Sequence, residues 1–185
     1  MREAAQHAEA VAAVAACHRR LGIEPSLLED ALAGLTSQPF CLEATELVGI
    51  GLDVFGREQR LLPAAAAAWG RLQAAASDRG IDLQLVSGFR GVEYQAELIA
   101  RKLARGQRLE DILRVSAAPG FSEHHTGRAV DVTTGGAAPL EVEFETTECF
   151  SWLRTHAGDY GFRMSYPRGN PFGIDYEPWH WCYVS

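Results

Sequence analysis

The 185-residue sequence contains no pair of cysteines at C-x-x-C spacing. Cys17, Cys41, Cys149 and Cys182 are far apart, which argues against a structural zinc knuckle or a thioredoxin-type site. Buried free thiols are the expectation, ahead of disulfides. Long apolar runs are lacking as well: Val11 to Cys17 is far too short to span a membrane. With Glu3, His7 and Glu9 among the preceding alanines, it makes a poor secretory signal. Positive charge is in deficit, with 17 Lys and Arg against 24 Asp and Glu, a net −7. That balance argues against nucleic acid, which rewards a basic face, and against electrostatic docking on an anionic membrane. No internal repeat, low-complexity tail or linker interrupts the chain. A single domain over residues 1–185 is therefore expected, large enough to bury a core unaided.

What is present is ordinary globular composition, 47% hydrophobic and 22% charged. An Ala-rich helix is predicted from Glu3 to Arg20, ended by Gly22 and Pro25. Ser26 with Glu29 reads as a capping box for a second helix through Leu32. Partial alternation from Leu47 to Leu62 predicts a strand or hairpin. Pro63 opens a helix closed by Gly80, with Trp69, Leu72 and Ala76 as its buried stripe. Asp82–Ser87 alternates as a strand, and helices follow over Val92–Ala104 and Leu109–Val115. Ala129–Thr133 is a strand, Thr147–Tyr160 a helix, Tyr166–Gly173 a loop and His180–Val184 a final strand. Helices first, then strands and helices mixed, predict an α+β fold: a small antiparallel sheet packed with helices, preceded by an N-terminal helical segment. Residues 1–45 read as a helical extension and 46–185 as the core.

Two short strings concentrate the chemistry: S-E-H-H-T-G-R-A-V-D from Ser122 to Asp131, and E-P-W-H from Glu177 to His180. In the strand A-V-D-V-T, Asp131 shares a face with Ala129 and Thr133, and small Ala129 leaves room for an ion. Gly127 lets the backbone turn so that an imidazole swings over that strand. His124 and His125 are rival ligands; neighbours in sequence point apart, so one of them is expected to bind. Pro178 cannot donate to a ladder, so pairing begins after it and puts His180 on a strand face. Glu177, outside the strand, is free to approach without occupying a ligand position. Two imidazoles, a carboxylate and a spare glutamate are the inventory of a mononuclear zinc hydrolase. His7, His18 and His156 fall on helices and read as surface or satisfied core residues.

The pattern S-x-H-x-x-G-x-A-x-D followed by E-P-W-H resembles the VanY-type D-alanyl-D-alanine carboxypeptidases, zinc peptidases that share a fold with Hedgehog domains and lysostaphin-type enzymes. Ser87-Gly88-Phe89-Arg90 and Gln95 resemble that family's S-G-[YF]-R and following Gln. The likeness runs from about Gly56 to the C-terminus. It implies one Zn2+ held by His124, Asp131 and His180, its register favouring His124 over His125. It implies Glu177 as general base and Arg90 as a catalytic group that binds substrate and steadies the oxyanion. Gln95 and Ser122 would help hold the peptide's end. The activity implied is removal of the terminal D-alanine from peptidoglycan stem peptides or muropeptides. Alternatives within the same chemistry are a D-Ala-D-Ala dipeptidase, an L,D-carboxypeptidase and an endolysin-type endopeptidase; outside it stands a zinc-stabilised binding module without catalysis. The resemblance implies the periplasm or cell envelope, while the poor secretory signal keeps the cytoplasm in play.

Overall fold

The computed structural model describes residues 2–184. In chain order the elements are α1 (Arg2–Leu21), α2 (Pro25–Leu32), β1 (Val48–Leu52), β2 (Glu58–Leu61), α3 (Pro63–Asp78) and β3 (Gln84–Ser87). Then come α4 (Val92–Ala104), α5 (Leu109–Arg114), β4 (Ala129–Thr133), α6 (Glu148–His156), β5 (Phe162–Met164) and β6 (His180–Tyr183). Short 3-10 turns cover Glu123–Thr126, Val142–Thr146 and Ala157–Tyr160. The class is α+β, with small antiparallel sheets. Among the described residues no helix is long and apolar enough to cross a membrane.

Packing divides the chain into two compact units. The first is helical and gathers residues 1–43, 90–126 and 171–175. Val14, Cys17 and Leu21 fall on one stripe of α1 and are buried with Leu28 of α2, Ala96 and Ile99 of α4, and Ile112 of α5. Phe121 completes that core next to the first chemical string.

The second unit comprises residues 44–89, 127–170 and 176–185. Its four-stranded antiparallel sheet has the order β3-β4-β6-β5, and β1 and β2 form a separate hairpin. Pro63 opens α3 at its first turn, where a missing N–H costs nothing. Ala65, Ala68, Trp69, Leu72 and Ala76 then fall on one helix face, at i, i+3, i+4, i+7 and i+11, and are all buried. Val130, Val132 and Trp181 join them in one core with Phe144, Phe150 and Phe162. Alternation therefore turns Ala129, Asp131 and Thr133 to the opposite face of β4, and all five β4 residues are buried.

Two local expectations are corrected, and one strand is additional. The Ser26–Glu29 capping box does not form: Pro25 takes the first turn of α2, so Glu24 becomes the N-cap and makes no side-chain cap. The Thr147–Tyr160 helix is α only to His156 and finishes as a 3-10 turn, ended by Gly161 at φ +80°. Strand β5, three residues long, has no counterpart among the expected strands, because too few residues alternate there to signal it. The four cysteines are free and buried, as expected.

Candidate metal centre

The strand pair supplies two of the chemical groups. β4 and β6 run antiparallel with Asp131 directly opposite His180 and Ala129 opposite Cys182. Opposed residues share a face, so the two side chains meet: His180 Nδ1 lies 3.0 Å from Asp131 Oδ1. Ala129, next on that face, is fully buried and adds almost no bulk there. The ring of Tyr166 packs against the His180 imidazole at 4.7 Å between centroids. Glu177 stands just before the strand, its Oε2 3.9 Å from His180 Nδ1.

The E-P-W-H turn is held at every step. The Glu177 N–H donates to Tyr166 O (3.0 Å) and the His180 N–H to Glu177 O (3.2 Å). The Val132 N–H donates to Trp179 O (3.1 Å). The Trp181 indole N–H donates back to Pro178 O at 3.1 Å. Pro178 has no donor to lose, and the pairing starts at His180 as the sequence predicts.

The first string opens with a 3-10 turn over Glu123–Thr126, in which His124 and His125 are both buried. The His125 N–H donates to Ser122 O (3.0 Å). Its ring is taken up by the backbone: Gly120 N–H donates to Nε2 at 3.1 Å, and Nδ1 lies 2.6 Å from Arg90 O. Burial, opposed by the bond to Arg90 O, pushes the His125 pKa down to about 4. Gly127 then has φ +65°, and a Cβ there would come within 2.9 Å of Leu47 Cδ2 and of the Leu62 nitrogen. The Leu62 N–H donates to Gly127 O at 2.8 Å, so this glycine permits both the left-handed turn and the close approach.

Among the described residues, His124, Asp131 and His180 form a buried group whose ligand atoms all lie within 4.8 Å of one another. Two imidazole nitrogens and one carboxylate oxygen are the donor set of a catalytic zinc site, which keeps a fourth position open. Gathering a carboxylate and two imidazoles out of water is costly unless something compensates them. The set therefore fits a single divalent ion. His125 is not part of it.

The other anticipated residues stand as follows. Arg90 is half-buried, and its backbone N–H donates to His124 O at 3.2 Å. Ser122 is buried immediately before the same 3-10 turn. Gln95 is buried on α4; its Nε2 donates to Ala117 O at 2.8 Å, while its Oε1 is buried without a hydrogen bond. The S-G-F part of the S-G-F-R segment is latched from the β1–β2 hairpin, a contact the sequence reading does not contain. Gln59 Oε1 accepts from the Gly88 N–H (2.8 Å) and its Nε2 donates to Asp53 Oδ2 (2.8 Å). Asp53 also takes the Phe55 and Arg57 N–H groups and the Arg57 guanidinium. A Cβ on Gly88 would come within 2.9 Å of Arg60 O, which explains the glycine. The one signal for this latch is Asp53 ahead of Gly56, an Asx-type turn residue. Tyr166 is likewise absent from the sequence reading as a partner of His180, because nothing local distinguishes it from a loop tyrosine.

Of the remaining histidines, His18 is buried with Nε2 2.8 Å from Pro119 O. His156 stacks on Trp152, and His7 meets Phe40 edge-on. His18 and His156 are packing residues and His7 is exposed on α1, in keeping with their helical positions.

Residues 58–185 match the family model described as VanY, D-alanyl-D-alanine carboxypeptidase. A D-alanyl-D-alanine carboxypeptidase of Enterococcus faecalis (strain ATCC 700802 / V583) is 31% identical over 121 residues, covering 60% of this chain and 43% of that protein. The bifunctional D-Ala-D-Ala dipeptidase and D-Ala-D-Ala carboxypeptidase VanXYC of Enterococcus gallinarum is 32% identical over 130 residues, covering 68% of this chain and 67% of that one. The chain spans about two fifths of the length of two curated relatives, 41% and 43%. Among solved structures, the LdcB LD-carboxypeptidase superposes with a TM-score of 0.71 at 28% identity, over 82% of this chain and 75% of that one. A VanY D,D-pentapeptidase from a VanB-type resistance cassette, in complex with Zn(II), gives 0.63 at 26% identity, over 81% and 85%. The family match takes in Arg90, both chemical strings and the strand pair carrying Asp131 and His180, and on that ground the chain belongs to the VanY D-alanyl-D-alanine carboxypeptidase family.

Proposed function

We propose that this protein is a zinc-dependent carboxypeptidase that removes the terminal D-alanine of peptidoglycan stem peptides. The observation that carries the reading is the buried His124–Asp131–His180 group, with the Glu177 carboxylate 3.9 Å from His180 and outside the ligand set. The Zn(II) complex of the VanY structure supports zinc as the ion. When bound, such an ion lowers the pKa of a water and polarises the scissile carbonyl.

The chain's own residues do the rest. Glu177 takes a proton from the attacking water as the C–O bond forms, then passes it to the nitrogen of the leaving D-alanine as the C–N bond breaks. The products are the shortened peptide carboxylate and free D-alanine, and Glu177 returns to its starting charge. Arg90 meets the negative charge that develops on the carbonyl oxygen. Ser122 and Gln95 help hold the peptide's end, Ser122 as a donor to its carboxylate. Buried Gln95 Oε1, without a hydrogen bond inside the protein, supports a substrate N–H as its complement.

Mass spectrometry of a stem pentapeptide ending in D-Ala-D-Ala, incubated with zinc-loaded protein and with a chelated control, tests the reading. Loss of one alanine only with metal is expected; an intact peptide refutes it. E177Q is expected to keep zinc and lose turnover, and a fully active E177Q removes Glu177 from the base role. The similarity to LdcB at a TM-score of 0.71 favours one second reading, L,D-carboxypeptidase action on a tetrapeptide. The same assay with that peptide separates the two.

A further inference from the structure

Of the adjacent pair His124 and His125, only the first offers a ring nitrogen to the ligand group. His125 is wholly buried, and both its nitrogens are engaged by main chain. Gly120 N–H donates to Nε2, so Nε2 carries no proton. Arg90 O can only accept, so the proton sits on Nδ1, 2.6 Å away. The two bonds select a single neutral tautomer.

The consequence falls on Arg90. Its backbone N–H donates to His124 O at 3.2 Å, while its carbonyl accepts from His125 Nδ1. One dipeptide thus grips the Arg90 backbone on both sides. The anchor at the far end of the imidazole is equally fixed. Gly120 O accepts from the Cys41 N–H at 2.7 Å, and Pro119 O lies 2.8 Å from His18 Nε2. A Cβ on Gly120 would come within 2.8 Å of Val14, so α1 packs directly against this turn. Residues from the N-terminal segment therefore hold the turn that holds His125.

We propose that His125 is a positioning residue: in its Nδ1–H tautomer it ties the Arg90 backbone to the Gly120 turn and so sets where the guanidinium stands. The proposal rests on the reading of Arg90 as a substrate and oxyanion group. The clamp fixes the main chain from which the Arg90 side chain extends, and a fixed base is part of the preorganisation a developing charge needs.

Two variants and one spectrum test it. H125L removes both hydrogen bonds; H125Q keeps a donor and an acceptor on its amide. H125L is expected to lower kcat/KM on the stem pentapeptide by about 10–100-fold at unchanged zinc content, and H125Q to recover most of that loss. In an R90A background H125L should add little further loss, because the two act through one group. Additive losses, or a fall in activity that merely follows lost zinc, overturn the proposal. Nitrogen NMR of the zinc-loaded wild type should find His125 protonated at Nδ1 alone at neutral pH. Any other placement of the proton overturns it. Should H125L not fold, the tautomer decides. Should the wild type cleave no peptide, the reading of function fails, and the tautomer still decides the clamp by itself.

Discussion

Asp131 and His180 are set by a ladder, whereas His124 is set by a turn. The first two face each other across β4 and β6, where register alone brings their side chains to 3.0 Å. Their positions are secured by what lies on the other side of the sheet, Val130, Val132 and Trp181 in an apolar core. His124 sits on a four-residue 3-10 turn with no ladder. Its surroundings are secured by polar contacts to backbone, through His125, Gly120 and Arg90, and by the tight passage at Gly127. Under the proposed metal reading, the strand-borne ligands inherit the stability of the core, and the turn-borne one depends on individually replaceable hydrogen bonds. The two kinds of support should therefore fail in different ways.

The sharpest test of that contrast removes one proposed ligand of each kind. H180A and H124A are both expected to lose stoichiometric zinc and turnover together, measured by metal analysis and peptide cleavage. Only H180A should also disturb the β4–β6 pairing, seen as faster amide exchange at Trp181 and Val130. Next in size, W69A empties the core behind β4 and should cost about 3–5 kcal/mol in a denaturant titration. G127A acts on the turn instead. Its left-handed backbone alone should cost about 1–2 kcal/mol, and the overlap with Leu62 should weaken zinc binding as well. Equal zinc affinity in G127A and wild type would break the comparison.

The helical unit carries a pH signature. Burial lowers the His18 pKa, against the opposing bond to Pro119 O. Below the ordinary histidine value of about 6.5, the folded state then binds fewer protons than the unfolded one. Stability is full above that value and falls as pH drops through it. Urea midpoints should decline from about pH 7.5 to about pH 5, and less steeply in H18Q. The smallest effect belongs to a cap: Thr147 Oγ1 accepts from the Phe150 N–H at 3.1 Å. T147A should cost about 1 kcal/mol in the same titration.

The ladder residues were legible in the sequence in a way the turn was not. Alternation in A-V-D-V-T and the stop imposed by Pro178 are period-two signals, and they put Asp131 and His180 on strand faces. Pro63 and Gly80 bracket α3 because each has a local backbone reason to stand there. Nothing in the residues themselves separates His124 from His125, since both are histidines in one turn; only the family register does. What distinguishes them physically is a glycine N–H five residues upstream and a carbonyl thirty-five residues away, partners that only tertiary structure brings near. The Ser26–Glu29 box failed for a plainer reason. Two start signals competed, and Pro25 fixes φ for the first turn whereas a serine cap is optional. The Gln59–Gly88 latch likewise depends on a hairpin folding back, which composition does not announce.

The four free cysteines make the molecule its own stopwatch. Cys17 and Cys41 lie in the helical unit, Cys149 and Cys182 in the sheet unit, and all are buried. Burial pushes the Cys17 thiol up to about 11, aided by its bond to Glu93, and the Cys41 and Cys149 thiols up to about 12. A thiolate is the species that attacks an alkylating reagent, so at neutral pH these sulfurs stay silent while their surroundings remain closed. Each becomes reactive only when its own unit opens, since opening restores access. The order in which the four sites are alkylated therefore records which core lets go first, with no label added to the chain.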